Sequence, residues 1–210
     1  MGTDARPRRT LSWLRLACLL GLTLALPWAG APPAAAQERR LQAADVEAAY
    51  LINFLRYTQW PAQRFASPDA PLVVTVVGPA EVAGRLRAVA AAAGPIDGRA
   101  VEVHNLPSPR GSLDTPLDSE RDREAAQLLR NSHLVYFHNG AAPLHPRVLA
   151  DLWGQPVLTV GNSRGFAARG GMLGLVRNGG NIVFEANPGA IRNSGLVVSA
   201  KVLKLARPAR

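Results

Sequence analysis

Apolar residues along this chain fall into short blocks of two alternating kinds. Over residues 45–58, Val46, Ala49, Tyr50, Asn53, Phe54 and Tyr57 recur at helical spacing with one polar break at Asn53. The pattern predicts a helix capped by Asp45, with a short frayed leader over residues 37–44 before it. Trp60-Pro61 should end it, because the residue before a proline avoids helical dihedrals. Residues 72–77 read Leu-Val-Val-Thr-Val-Val, a β-branched run expected to be a buried strand. Pro79 then suits a first helical turn, residues 81–93 are alanine-rich, and Gly94-Pro95 closes that helix. Residues 99–106 predict a second strand. This β-α-β order implies a parallel pair joined by a right-handed crossover. The alternation continues with a charged amphipathic helix over 120–130 that turns Ala125, Leu128 and Leu129 inward. A strand over 133–137, a short helix over 146–153 and a strand over 156–160 follow.

Beyond residue 160 the pattern changes. Residues 161–171 are glycine-rich, and two apolar runs then flank Asn178-Gly179-Gly180, the strongest short-range hairpin signal. Parity places Leu173, Leu175, Ile182, Phe184 and Ala186 on a core-facing side, with Met172, Gly174, Val176, Asn181, Val183 and Glu185 opposite. Asn187-Pro188 should cap and start a helix that Gly195 ends, and residues 196–205 close the chain as a short strand or a last helix. The fold class expected is α/β: a single three-layer domain, a mostly parallel sheet flanked by helices, with a C-terminal β-hairpin. Residues 107–118, rich in Pro, Ser and Gly, are expected to form a mobile loop.

The first residues stand outside this domain. Arg6, Arg8, Arg9 and Arg15 precede an apolar stretch over 16–26, which Pro27 breaks, and Ala34-Ala35-Ala36 supplies small residues for cleavage. Residues 1–36 are thus expected to be a signal peptide cut near Ala36, leaving residues 37–210 in the periplasm. The whole chain carries 24 basic and 15 acidic residues, of which four arginines and one aspartate lie in the leader. The exported part therefore keeps a mild positive excess. Its cations are scattered, unlike the clustered face of a nucleic-acid reader, and nucleic acid is not an expected partner. The single cysteine, Cys18, sits in the leader. The exported part consequently offers no disulfide, thiolate ligand or cysteine nucleophile.

Gly161-Asn162-Ser163-Arg164-Gly165 matches G-x-S-x-G after a predicted strand, as a nucleophile elbow would. A strand is expected after it instead of a helix, and no histidine follows His145, so a serine hydrolase built on Ser163 is the least favoured reading. His104, His133, His138 and His145 lack metalloprotease spacing. Gly78-Pro79-Ala80 offers no phosphate cradle, since Pro79 has no N–H. No catalytic residue, metal or cofactor is expected.

The assembled residues resemble the YfiR-like family of periplasmic proteins. The opening helix Val46-Glu-Ala-Ala-Tyr-Leu-Ile-Asn-Phe-Leu-Arg-Tyr-Thr-Gln-Trp-Pro61 is similar to the family's first helix. Leu158-Thr-Val-Gly161, Gly165-Phe166-Ala167, Gly170-Gly171-Met172 and residues 181–187 are similar to its glycine-rich loop and hairpin, and Ser199-Ala200-Lys201-Val202-Leu203 to its C-terminal segment. The resemblance implies a soluble repressor that binds the periplasmic portion of an inner-membrane diguanylate cyclase or sensor kinase. It also implies sequestration by an outer-membrane lipoprotein, and a homodimer. The family's cysteines are replaced here, Val73-Val74 and Ser132 standing where members often carry one, so its redox control does not transfer. The surface expected to meet a partner comprises Phe166, Arg164, Arg169, Met172 and Trp60, with the 107–118 loop. A small-ligand module with a pocket at the strand ends is the alternative.

Overall fold

The computed structural model describes residues 34–107, 120–139, 145–179 and 181–209. The chain divides into two compact units, Met1–Glu38 and Arg39–Arg210, and the fold below is that of the second. In chain order its elements are helix α1 (Ala34–Arg56), β1 (Thr58–Gln59), a 3-10 turn (Ala62–Arg64), β2 (Leu72–Val77), α2 (Ala80–Ala93), β3 (Val101–Leu106), α3 (Glu120–Asn131) and β4 (Leu134–Phe137). There follow α4 (His145–Asp151), β5 (Leu158–Gly161), β6 (Leu173–Asn178), β7 (Asn181–Ala186), α5 (Pro188–Asn193), β8 (Val197–Val198), α6 (Ala200–Leu205) and β9 (Arg207–Pro208).

Seven strands form one sheet in the order β3-β2-β4-β5-β6-β7-β9. The five from β3 to β6 are parallel, β7 returns antiparallel from β6, and β9 lies parallel to β7. The chain leaves β2 to one side for β3 and comes back on the other side as β4. This is the doubly wound arrangement with a switch point between its first and third strands. Alternation along β4 divides the core. Leu134 and Tyr136 join the cluster under α1 and α2, with Leu51, Leu55 and Leu86, whereas Val135 and Phe137 join Leu129, Leu149 and Leu152 beside α3 and α4. Burial of both faces explains why β2 and β4 read as continuous apolar runs. The architecture is the expected α/β sheet between helical layers.

The hairpin forms as expected, with Gly179 left-handed at φ +55° in the turn and Leu173, Leu175, Phe184 and Ala186 buried. Asn187 caps α5, its Oδ1 accepting from the Ala190 N–H at 3.1 Å. Residues 196–205 hold both a strand, β8, and a helix, α6.

Three expectations are corrected. The leader over 37–44 is helical, because its alanines, glutamines and leucine are strong helix formers. Met172 belongs to the α1-side core, because it precedes β6 and so escapes the strand's alternation. The buried stripe of α1 is also turned by about one residue from the one expected. Ala48, Leu51, Ile52, Phe54 and Leu55 face the sheet while Val46, Ala49, Asn53 and Tyr57 are exposed. Both stripes are apolar enough to fit helical spacing, and the more aliphatic one wins the core. The 107–118 loop lies outside the described residues apart from Pro107.

Candidate functional site

The glycine-rich segment after β5 turns back on itself, with Gly165 and Gly170 left-handed, and leads into β6. Phe166 is only 1% exposed. Its ring lies 5.4 Å from that of Phe137 and packs with Leu149 and Leu152. A Cβ on Gly161 would fall 2.5 Å from the Phe166 ring, and one on Gly171 would overlap it. These two glycines make room for an aromatic plug, which is why a loop phenylalanine expected at the surface is a core residue. Met172 is buried too, its N–H donating to Thr159 Oγ1 at 3.0 Å. Arg164 and Arg169 do stand exposed, and the Arg169 guanidinium donates to the Arg164 carbonyl and to Ser163 Oγ. Ser163 is buried, and the loop after it enters a strand, so no nucleophile elbow forms. Trp153, which follows α4, is more than half exposed.

Trp60 lies apart from those four, where β2, β3 and β4 begin. Half-buried, it donates its indole N–H to the His133 carbonyl at 3.0 Å. Pro61 starts the 3-10 turn that carries Arg64 to the Ser132 carbonyl at 2.7 Å. Phe65 stacks on the His133 ring at 4.7 Å, and the Arg99 guanidinium lies 3.8 Å above Phe65. His133 Nδ1 accepts from the Val73 N–H at 3.0 Å, which requires the neutral ring. Burial, reinforced by the charges of Arg64 and Arg99, lowers its pKa to about 4. A cleft of about 280 Å³ opens beside this stack. Leu55, Leu72 and Ile96 line it with Trp60 and Phe65, and Asp97 and Arg99 add charge. Asp97 and Gly98 are both left-handed, at φ +49° and +78°, in a tight turn closed by the Ile96–Arg99 bridge. Thr58 also lines the cleft. It is 3% exposed, and its Oγ1 has no hydrogen-bond partner.

At the opposite, C-terminal ends of the parallel strands lies a polar cluster that sequence reasoning missed. Glu47 of α1 is 5% exposed. Its Oε2 accepts from Tyr136 Oη at 2.7 Å and from Asn162 Nδ2 at 3.0 Å, and its Oε1 lies 3.5 Å from the Arg177 guanidinium. One helix is thus pinned to residues of β4, β6 and the turn after β5. Burial, then the Glu47 charge, pushes the Tyr136 hydroxyl well above its ordinary range. His138 is held below its usual value, chiefly by burial, with Glu47 and Arg177 acting in opposite directions. The available signal was a glutamate flanked by the aliphatic residues of α1, visible only once the helix is turned to its true face.

Among the described residues there is no cluster of three or more His, Cys, Asp or Glu able to hold a metal, and no helix long and apolar enough to cross a membrane. A family model described as YfiR/HmsC-like matches residues 44–207, which includes all five partner-binding candidates, the cleft and the Glu47 cluster.

Proposed function

We propose, because the chain belongs to the YfiR/HmsC-like family, that it is an exported regulatory binding protein restraining an inner-membrane diguanylate cyclase or sensor kinase through that partner's periplasmic portion. The family is one of periplasmic regulators of diguanylate cyclase signalling, and the match over residues 44–207 is the observation that carries the reading. Such a regulator needs no reacting group. It needs a surface that binds one state of its target better than another. Trp153, Arg164 and Arg169, all exposed, supply the side-chain types that dominate interface energetics; the two arginines are kept from the expected surface, and Trp153 takes the place of the buried Phe166 and Met172. Sequestration by an outer-membrane lipoprotein and a homodimer belong to the same proposal.

Cross-linking followed by capture from membranes should recover a cyclase or sensor kinase. The triple variant Trp153→Ala, Arg164→Glu, Arg169→Glu should lower that recovery by about tenfold or more. Recovery of no membrane protein by the native chain would refute the reading.

The cleft supports a second reading, a small-ligand module. Aromatic and aliphatic walls with Asp97 and Arg99 among them favour a flat, mainly apolar molecule with one polar group. A ligand screen read by melting temperature tests it, since binding to the native state raises Tm by mass action.

A further inference from the structure

Residues 48–68 and 186–210 contain no acidic residue and together carry seven basic ones. The fold sets them side by side. β1 pairs with β8, Thr58 opposite Val198 and Gln59 opposite Val197, and the Ser199 N–H donates to the Tyr57 carbonyl at 2.8 Å. Thr58 and Val198 turn inward, whereas Val197 is 62% and Tyr57 47% exposed. α6 follows β8 directly, with Ser199 as its N-cap. Val202 enters the core, and Lys201, Lys204 and Leu205, spaced three and four apart, share the outer arc of the helix. Leu205 is 77% exposed. Arg56, at the end of α1, is exposed, but its guanidinium donates to the Ala93 carbonyl at the end of α2 at 3.2 Å. Asp97 lines the same cleft as Gln59, and Glu185 is opposite Arg207 in the β7–β9 ladder.

An ordinary solvated face intersperses both signs of charge and few large apolar residues. This one carries three of the five exposed large apolar side chains among the described residues, with the exposed Lys201 and Lys204 on the helix that follows β8. A tyrosine and aliphatic tips flanked by lysines form the anchor pattern of a membrane interface. The apolar groups enter the headgroup boundary while the lysine stems reach back to charge.

We propose that this face, built from Tyr57, Val197 and Leu205 with Lys201 and Lys204, docks on anionic lipid headgroups. It would hold the protein on the membrane surface independently of any protein partner. Sedimentation of the full-length chain with vesicles tests it, comparing phosphatidylglycerol–phosphatidylethanolamine with phosphatidylcholine–phosphatidylethanolamine. Keeping residues 1–36 in every sample makes their contribution common to all variants. The native chain should bind the anionic vesicles preferentially and lose binding as salt rises. Lys201→Glu with Lys204→Glu should weaken binding by more than about twentyfold, at about fivefold for each charge removed. Leu205→Asp should weaken it as well, Lys201→Arg with Lys204→Arg should preserve it, and Tm should stay unchanged because these side chains lie in solvent. Equal binding to both vesicle types, or anionic binding untouched by the charge reversals, would overturn the proposal. So would a native chain that ignores vesicles while the reversals abolish capture of a membrane protein, which would make the face a protein interface.

Discussion

The two ends of the parallel sheet solve the same problem, burial of polar groups, in opposite ways. At the C-terminal ends a carboxylate lies under α1, and Tyr136, Asn162 and Arg177 supply its hydrogen bonds. At the start of the strands the buried polar residue is an imidazole kept neutral, stacked on Phe65, with Trp60 and Arg64 bonded to backbone carbonyls nearby. The first end concentrates charge and bonds both carboxylate oxygens of Glu47, while Asn162 Oδ1 and His138 Nδ1 beside it have no partner. The second avoids charge in the core, leaves His133 Nε2 and Thr58 Oγ1 without partners, and stays open as a cleft. A carboxylate bonded by three side chains makes a clamp; an aromatic-walled void leaves room for a guest.

The largest expected effect is at the clamp. Glu47→Ala removes the acceptor of two buried donors and should destabilise by about 3 kcal/mol in denaturant unfolding. Glu47→Gln, which keeps an acceptor oxygen, should cost less, and equal losses would show that charge and not hydrogen bonding holds this end. The open end should reveal itself in acid. The folded pKa of His133, about 4, lies below the ordinary 6.5, so between these values only the unfolded ring takes up a proton. Its contribution is complete above pH 6.5 and should decline by about 1–2 kcal/mol as pH falls to 4, allowing for solvent screening at the ring edge. His133→Phe should flatten that slope, and an unchanged slope would place the acid sensitivity elsewhere. Tyr136→Phe should cost about 1 kcal/mol, since Glu47 keeps Asn162 and Arg177. Arg177→Ala should change stability by less than about 0.5 kcal/mol, its side chain being 67% exposed.

Much of this fold was legible in the sequence because the elements in question carry a period. The β-branched run of β2, the Asn-Gly hairpin turn and the Asn187 cap each combine a local preference with an apolar pattern that agrees with it. Legibility failed where two readings of one pattern were physically acceptable. α1 presents two apolar stripes, and choosing the wrong one left Glu47 looking like a solvated residue. Phe166 sits in a glycine-rich segment, which suggested an exposed tip; those glycines instead clear space for its ring. β1, β8 and β9 have two residues each, too few to show alternation. Both the cleft and the cationic face depend on the β1–β8 pairing between segments about 140 residues apart. The candidate sites were accordingly less readable than the scaffold that carries them.

The sheet's two margins are finished differently. β3 ends one side with a Glu102–His104 pair 3.1 Å apart on an outer strand. The other side is closed by β9, where Arg207 and Pro208 lie along β7. A proline brings no N–H, so this last strand cannot extend the ladder from that position, and β9 works as an end-stop. Deleting the chain from Arg207 onward would uncover β7 at Glu185 and Ala186, the two residues β9 pairs, and lengthen an edge open to chain-to-chain pairing. Bulk fused directly to β9 would therefore load the two-residue strand that pairs with the end of β7.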